Sequence, residues 1–304
     1  MSILVTGGLG FVGRRIVDLL VDDGHQVVSY NRDFSLDERP GVTAVQGELF
    51  DLPAMVRTFK EFAVDAVIHT AAMSHPEISI ELPVTTFAAN VDGTLKLLEA
   101  MRLAGVRRLV NFSSECAYGH QAEDVPVREN ATPMPNTPYG VSKVATEHLG
   151  RVYNQLYAMD VVSLRVTEVF GPGLKMPEVL QDMVKAAVRG QTFVLEHGLD
   201  HRFHFVYVDD VARAAISASK SRSLTQAVYN ISGGLQVTLK EVRERILQRV
   251  PGAAIHIGPG HIPDWDRQGP FDISAAARDL DYRPQVSLDA GLDSLLNEFS
   301  MEDL

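Results

Sequence analysis

The chain of 304 residues is poor in cysteine and in positive charge. Its single cysteine, Cys116, excludes an internal disulfide framework and a thiolate metal cluster. Its 28 lysines and arginines stand against 39 acidic residues, which gives a formal net charge of −11. Because nucleic acids and anionic membranes bind basic faces, we expect neither nucleic acid nor membrane as a partner.

Long apolar runs are missing as well. No segment approaches the roughly 18 consecutive apolar residues of a membrane-spanning helix. The N-terminal residues MSILVT carry no basic leader of the kind that opens a secretion signal. The histidines show no metal-like spacing with acids, so we expect no metal site. These absences predict a soluble cytoplasmic protein, and a hydrophobic fraction of 45% is enough for a large core.

What the sequence does contain is an alternation of β-branched runs and helical stretches. Apolar runs at 66–70 and 108–112 alternate with helical patterns at 84–104 and 139–157. This predicts βαβ units around a mostly parallel sheet, an α/β fold. After Gly171 the pattern becomes irregular, and helices are predicted at 177–189, 209–219, 238–249 and 288–299.

A glycine-rich turn, TGGLGFVG at 6–13, follows the first predicted strand and opens a helix. Glycine lets backbone N–H groups approach a pyrophosphate, and the helix N-terminus stabilises the negative charge. We therefore expect Gly7, Gly10 and Gly13, with Phe11 and Val12 between them, to bind a dinucleotide. A tight turn without a ligand is the alternative.

The end of the second strand bears on the choice of cofactor. NAD-binding folds usually place an acid here, whereas an arginine suits the extra phosphate of NADP. Asn31 is not acidic and Arg32 follows it, which favours NADP, although Asp33 opposes this interpretation. A solvated surface charge at Arg32 stays an open alternative.

Tyrosine and lysine stand four residues apart at Tyr139 and Lys143, on one face of a predicted helix. A nearby ammonium favours the phenolate and lowers the tyrosine pKa toward neutral pH. Ser114 ends a predicted strand, where doubly wound folds bind ligands, and its hydroxyl is placed to hold a substrate oxygen. Each feature alone has an ordinary structural explanation, but together they indicate acid–base chemistry on an alcohol or carbonyl.

In combination the segments resemble the extended short-chain dehydrogenases/reductases, also called the NAD-dependent epimerase/dehydratase family. The resemblance covers nearly the whole chain and includes the glycine turn, IHTAA at 68–72, NVDGT at 90–94, SSECAYG at 113–119, the Tyr139/Lys143 pair, LRV at 164–166 and VDDV at 208–211. It implies that Tyr139 is the general acid/base and that Ser114 orients the reacting oxygen. It also implies that Lys143 holds the nicotinamide ribose.

The resemblance implies further cofactor contacts. The small residues Ala71 and Ala72, together with Asn90, would line the cofactor. Glu48 and Leu49 stand where the family often has residues near the adenine.

The resemblance also implies the architecture, a Rossmann-like doubly wound parallel sheet with a smaller C-terminal substrate lobe. The dinucleotide-binding domain would span 1–170, with strands in 205–235 returning to its sheet. The lobe would comprise 171–204 and 236–304. Since many members dimerise through helices equivalent to 84–104 and 139–157, a homodimer is expected.

The departures from the family concern the substrate. Nucleotide-sugar members carry an asparagine and an arginine that help to hold a diphosphate, and here these positions are Glu168 and Phe203. Glu168 would repel an anion, while Arg202, one position away, is a candidate to compensate. Further candidates for substrate contact are Ser74, His75, Ser114 and Glu115. Dehydratases of the family carry a threonine followed by two acids, and here only Glu115 is acidic, which argues against elimination.

We therefore expect an NAD(P)-dependent oxidoreductase, with NADP favoured. It would act on a hydroxyl or keto carbon of a polar carbohydrate-like or hydroxy-acid small molecule without a nucleoside diphosphate. A nucleotide-sugar 4-epimerase is the first alternative. A non-catalytic NADP-sensing protein is the second, although such members tend to lack the tyrosine and lysine.

Overall fold

The structure is a computed structural model that describes residues 1–33 and 39–302. Its strands in chain order are β1 (Ser2–Thr6), β2 (Gln26–Asn31), β3 (Val42–Gln46), β4 (Ala66–His69), β5 (Arg108–Ser114), β6 (Asp160–Val166), β7 (Glu168–Phe170), β8 (Phe193–Leu195), β9 (Arg202–Phe203), β10 (Phe205–Tyr207), β11 (Val228–Ile231), β12 (Val237–Thr238) and β13 (Ile255–Ile257). Its helices are α1 (Phe11–Asp22), α2 (Leu52–Glu61), α3 (Pro76–Glu81), α4 (Pro83–Phe87), α5 (Gly93–Ala104), α6 (Pro138–Tyr157), α7 (Val179–Val188), α8 (Val208–Lys220), α9 (Leu239–Arg249), α10 (Ser274–Asp279) and α11 (Leu288–Glu302).

Within the described residues, a seven-stranded sheet runs in the order β11-β6-β5-β4-β1-β2-β3. All of its neighbours pair in parallel. The chain moves outward from β1 through β2 to β3, then crosses to β4 and moves the other way. This reversal makes the sheet doubly wound and Rossmann-like, and it confirms the predicted fold class.

Helices cover both faces of this sheet, which explains why the central strands β1 and β4 are buried along their whole length. Ile3 and Val5 of β1 pack into one core cluster with residues of α1 and α8. Leu4, between them, packs into a second cluster with residues of α2, α5 and α6. The alternation follows from the two-residue period of a strand.

The last third of the chain forms its own core from α7, α9 and α11 with short strand pairs. Val228–Ile231 joins the large sheet beside β6, but Phe205–Tyr207 does not, which corrects one expectation. Both edges of β6 are occupied, by β5 and β11, so β10 pairs with β7 instead. Helix α10 packs with the core of the large sheet. We propose the division into a dinucleotide-binding domain and a C-terminal lobe, with α10 assigned to the dinucleotide-binding domain.

The predicted helix over 84–104 is interrupted. A π-helical turn, Ala88–Asp92, links α4 to α5, and Asn90 lies in it. Helix α3, which the sequence analysis did not predict, precedes α4. No helix among the described residues is long and apolar enough to cross a membrane.

Candidate active site

The glycine turn after β1 makes an uncapped helix N-terminus. Gly7 has a positive φ of 71°, its N–H donates to Tyr30 O (2.9 Å), and Gly10 N–H donates to Gly7 O (2.9 Å). A Cβ on Gly13 would lie 2.1 Å from Gly7 O, so only glycine fits there. Within the described residues, α1 has no side-chain cap and no acid in its first turn. The N–H groups of the first turn, at Phe11 and Val12, therefore suit a pyrophosphate.

Asn31 and Arg32 at the end of β2 have different roles. Asn31 Oδ1 accepts from Leu9 N–H (3.0 Å) and its Nδ2 donates to Ser29 Oγ (2.9 Å), so this side chain braces the glycine turn. The side chain of Arg32 is 74% exposed and its Nε lies 3.6 Å from Asp33. Arg32 is therefore free to turn toward a ligand at the cost of one exposed ion pair.

The remaining predicted cofactor residues lie at the same edge of the sheet or beyond it. Ala71, Ala72, Asn90 and Lys143 line one small cavity of about 10 Å³. Glu48 has an exposed side chain, and Leu49 packs against the second core cluster.

Asn90 fixes the loop after β4 to α6. Its Oδ1 accepts from Met73 N–H (2.8 Å), and its Nδ2 donates to Met73 O and to Ser142 Oγ (3.0 Å each).

Tyr139 is positioned through the first turn of α6. Thr137 caps this helix by accepting from Gly140 N–H (3.1 Å), and Tyr139 N–H donates to Ser79 Oγ of α3 (3.0 Å). A Cβ on Gly140 would lie 2.4 Å from Cys116 O, so the helix packs directly against the turn that follows Ser114. The glycine within YGVSK is what allows tyrosine and serine to meet.

Lys143 ties the same helix to β5. Its Nζ donates to Phe112 O (2.7 Å) and lies 5.4 Å from the centroid of the Tyr139 ring. Burial lowers the pKa of Lys143 to about 8. Burial raises the pKa of Tyr139, and a hydrogen bond with Ser114 opposes this only in part. The expected lowering of the tyrosine pKa is therefore not seen, because the loss of solvent around the phenol dominates.

The substrate side of the site is acidic. Glu115 and Glu168 lie just beyond the carboxyl ends of β5 and β6. Burial raises the pKa of Glu168 to about 7, and burial with repulsion from Glu168 raises the pKa of Glu115 well above its ordinary value. Glu178 accepts from Leu180 N–H and Gln181 N–H (2.9 Å each) as the N-cap of α7, and burial raises its pKa to about 8.

The other substrate candidates lie farther apart. Ser74 is exposed with its Oγ 3.9 Å from Met176 Sδ, and His75 is half-buried with an unpartnered Nδ1. Arg202 is exposed and its Nη1 lies 3.5 Å from Glu123 O. Since β9 places Phe203 in the lobe core, Arg202 points the other way, and no contact in the described part of the chain joins it to Glu168.

Sequence reasoning missed several side chains at this site. Buried Gln268 donates to Gly119 O (2.9 Å) and Glu115 O (3.3 Å), and buried His204 lies 4.0 Å from a Glu115 oxygen. Asp266 raises the pKa of Glu115 further. These residues come from distant parts of the chain, and no local sequence pattern indicates that they lie at the site. Among the described residues no cluster of potential metal ligands occurs.

Comparison with known proteins gives matches over most of the chain. The model of the NAD dependent epimerase/dehydratase family matches residues 3–232. A UDP-glucose 4-epimerase of Streptomyces lividans is 33% identical over 271 residues, covering 83% of this chain and 82% of that protein.

Solved structures similar to this chain include further UDP-glucose 4-epimerases. UDP-glucose 4-epimerase of Thermus thermophilus in complex with NAD has a TM-score of 0.88 and 30% identity, covering 98% of this chain and 99% of that chain. UDP-glucose 4-epimerase of Thermotoga maritima with UDP-glucose has a TM-score of 0.91 and 27% identity, covering both chains completely.

Proposed function

Because the chain is an enzyme that belongs to the NAD dependent epimerase/dehydratase family, we propose that it is an NAD(P)-dependent nucleotide-sugar 4-epimerase. The observation that supports this most is full-length similarity to UDP-glucose 4-epimerases, with a TM-score of 0.91 to one of them. The proposal takes up the alternative of the sequence analysis, because the relatives favour it over net oxidation.

The chemistry divides between the cofactor and the chain. When bound, NAD(P) takes a hydride from a carbon and returns it. Gly7, Gly10 and Gly13 shape the turn that holds its pyrophosphate. Tyr139 exchanges a proton with the sugar hydroxyl, and Ser114 orients that oxygen.

Burial raises the pKa of the Tyr139 hydroxyl above its ordinary value. At neutral pH the phenol is protonated and ready to donate to a carbonyl oxygen. To act as a base it depends on a positive charge nearby, and Lys143 Nζ is 5.4 Å from its ring.

Conversion of UDP-galactose to UDP-glucose by the purified protein with added NAD+ tests the proposal. We expect product without a net change in nicotinamide absorbance, since an epimerase returns the hydride. Stoichiometric accumulation of reduced cofactor without epimerised sugar would contradict it.

One observation favours a second candidate, a net dehydrogenase or reductase of a sugar or hydroxy acid without a diphosphate. Glu168 and Phe203 replace the neutral amide and the arginine that the family resemblance implies for diphosphate binding. Like charges about 4 Å apart repel by roughly 4 kcal/mol at an effective dielectric of about 20. Calorimetric titration with UDP- and dTDP-sugars separates the two, because micromolar binding excludes this candidate.

We also propose that the chain forms homodimers. Apolar side chains are exposed on three neighbouring helices: Val84 of α4, Leu95 and Leu103 of α5, and Val141 and Leu156 of α6. We name this set the apolar helix face. Exposed apolar surface on adjacent helices is typical of a protein–protein interface.

A further inference from the structure

A segment from the C-terminal part of the chain lies across the turn that follows Ser114. We name this segment, residues 266–272, the strap. Three backbone hydrogen bonds join the strap to the loop after the turn: Gln121 N–H donates to Arg267 O (2.9 Å), Val127 N–H to Pro270 O (2.8 Å) and Asp272 N–H to Val127 O (3.0 Å). A Cβ on Gly269 would lie 2.1 Å from Val125 O, so strap and loop are in direct backbone contact.

The side chain of Gln268 reaches from the strap into the turn, and the residue is only 4% exposed. Its Nε2 donates to Gly119 O (2.9 Å) and to Glu115 O (3.3 Å). These two carbonyls stand at the two ends of the turn, so one amide spans it. Among residues 1–33 and 39–302 no other hydrogen bond to Gly119 O occurs, and loss of the amide would leave a buried carbonyl without a partner.

The position of the turn determines where the Ser114 hydroxyl lies. The turn starts with a 3₁₀-helical segment, Glu115–Ala117, and Ser114 Oγ accepts from Cys116 N–H (3.2 Å). On its other side the turn touches the first turn of α6, since a Cβ on Gly140 would lie 2.4 Å from Cys116 O. Ser114 also forms a hydrogen bond with Tyr139 of that helix. A shift of the turn would therefore move the serine hydroxyl relative to the tyrosine hydroxyl.

We propose that Gln268 is a positioning residue for the reaction. By holding the carbonyls at both ends of the turn, its amide keeps the Ser114 hydroxyl at the distance from Tyr139 that orientation of the substrate oxygen requires. Since the strap belongs to the proposed C-terminal lobe, the lobe supplies a positioning residue to catalytic groups of the dinucleotide-binding domain. The inference rests on the proposed function for the choice of assay substrate.

The kinetic arm of the test removes the donor and keeps the shape of the side chain. Gln268→Met has nearly the same length and volume but cannot donate to the two carbonyls. Since a misplacement of about 1 Å costs about 100-fold in rate, kcat for conversion of UDP-galactose should fall by about 10- to 100-fold. KM should stay within a few-fold, because an orienting hydroxyl acts mainly in the transition state. Exposed Gln248→Met on α9 is the control and should keep the wild-type kcat.

A double-variant cycle separates positioning from general damage to the fold. Ser114→Ala removes the group that Gln268 is proposed to position. Adding Gln268→Met to Ser114→Ala should therefore lower kcat by less than about twofold more, because residues that act as a unit are not additive. An equal loss of kcat in both backgrounds, a loss confined to KM, or a Gln268→Met kcat within about threefold of the wild type would each overturn the proposal.

Cys116 provides a readout that needs no substrate. It is the single cysteine of the chain and lies in the turn. It is half-buried and burial raises the pKa of its thiol, so it should react slowly with a disulfide reagent while the turn is closed. Gln268→Met should speed its labelling by about tenfold or more beyond any change that urea denaturation assigns to global unfolding. Gln248→Met should label at the wild-type rate. Labelling that follows global stability alone would show that Gln268 does not hold the turn.

Failure of this inference and failure of the proposed function are distinguishable. If the wild type does not convert UDP-galactose, the nucleotide-sugar function fails. The labelling of Cys116 then decides the inference, since faster labelling of Gln268→Met supports it and an unchanged rate overturns it.

Discussion

At the scale of single residues, the proton transfer assigned to Tyr139 gives the sharpest expectation. Tyr139→Phe removes only the hydroxyl, and the ring stays packed on α6 beside Lys143. Since general acid–base catalysis contributes about 10² to 10⁴ in rate, turnover should fall by that factor while cofactor affinity stays within a few-fold. Steady-state kinetics and calorimetric titration of the cofactor measure the two effects.

Tyr157→Phe is the matched control, because Tyr157 lies on the same helix with 47% of its surface exposed. It should leave turnover unchanged. If Tyr139→Phe keeps more than about a tenth of the wild-type rate, the tyrosine does not transfer the proton.

For cofactor choice, we predict that the side chain of Arg32 matters most. Arg32 is exposed and pairs with exposed Asp33, so its guanidinium is available for bidentate binding of a 2′-phosphate. NADP should therefore bind at least as tightly as NAD, and Arg32→Ala should weaken NADP about tenfold or more while NAD changes little. Fluorescence titration of the reduced cofactors checks this. A preference for NAD that the substitution does not alter would show that Arg32 does not contact the cofactor.

At the scale of elements, an ion pair holds α6 against β6. Buried Arg165 donates to both carboxylate oxygens of buried Glu147 (2.8 and 2.6 Å), and Ser113 Oγ donates to the same carboxylate (2.5 Å). The arginine of the LRV segment is thus structural. Because it leaves a buried charge without its counter-charge, Glu147→Gln should lower the free energy of unfolding by about 3–5 kcal/mol.

Urea denaturation of that variant, with exposed Arg151→Met on the same helix as control, measures the loss. Removing both charges in Glu147→Leu with Arg165→Met should restore much of the stability, since no uncompensated ion remains. A double variant as unstable as Glu147→Gln would mean that packing, not charge, dominates this site.

Elements governed by local pattern were predictable from the sequence. The glycine turn after β1 and the capped α9 carry their own signals, and the structure has both, with Thr238 and Glu241 forming the capping box of α9. The pairing of Phe205–Tyr207 with β7 was not predictable from the local sequence. It depends on which strand pairs with the free edge of β6, and in the structure that strand is β11. A strand's partner is a property of the sheet, not of the strand.

The same distinction holds for the candidate site. Short motifs contain Ser114, Tyr139 and Lys143, so these residues could be predicted as site residues from the sequence. The surroundings of Glu115 form only when the C-terminal part of the chain packs against the turn after β5 and brings His204 and Gln268 to it. The opposing pKa shifts of Lys143 and Tyr139 likewise depend on burial, which no spacing reveals.

At the scale of the whole molecule, the apolar helix face predicts assembly. Leu95 and Leu103 are two turns apart on α5 and are 37% and 47% exposed. Burying a leucine stabilises by about 1.5–3 kcal/mol, and in a two-fold symmetric dimer each position is buried twice. The combined Leu95→Glu and Leu103→Glu substitutions should therefore raise the dimer Kd by more than about 100-fold. Sedimentation velocity should show the wild type as a dimer and this variant as a folded monomer. Val194→Glu is the control, because Val194 is 66% exposed on β8, outside this face. If the control dissociates as readily, or if the wild type sediments as a monomer, the helix face is not the interface.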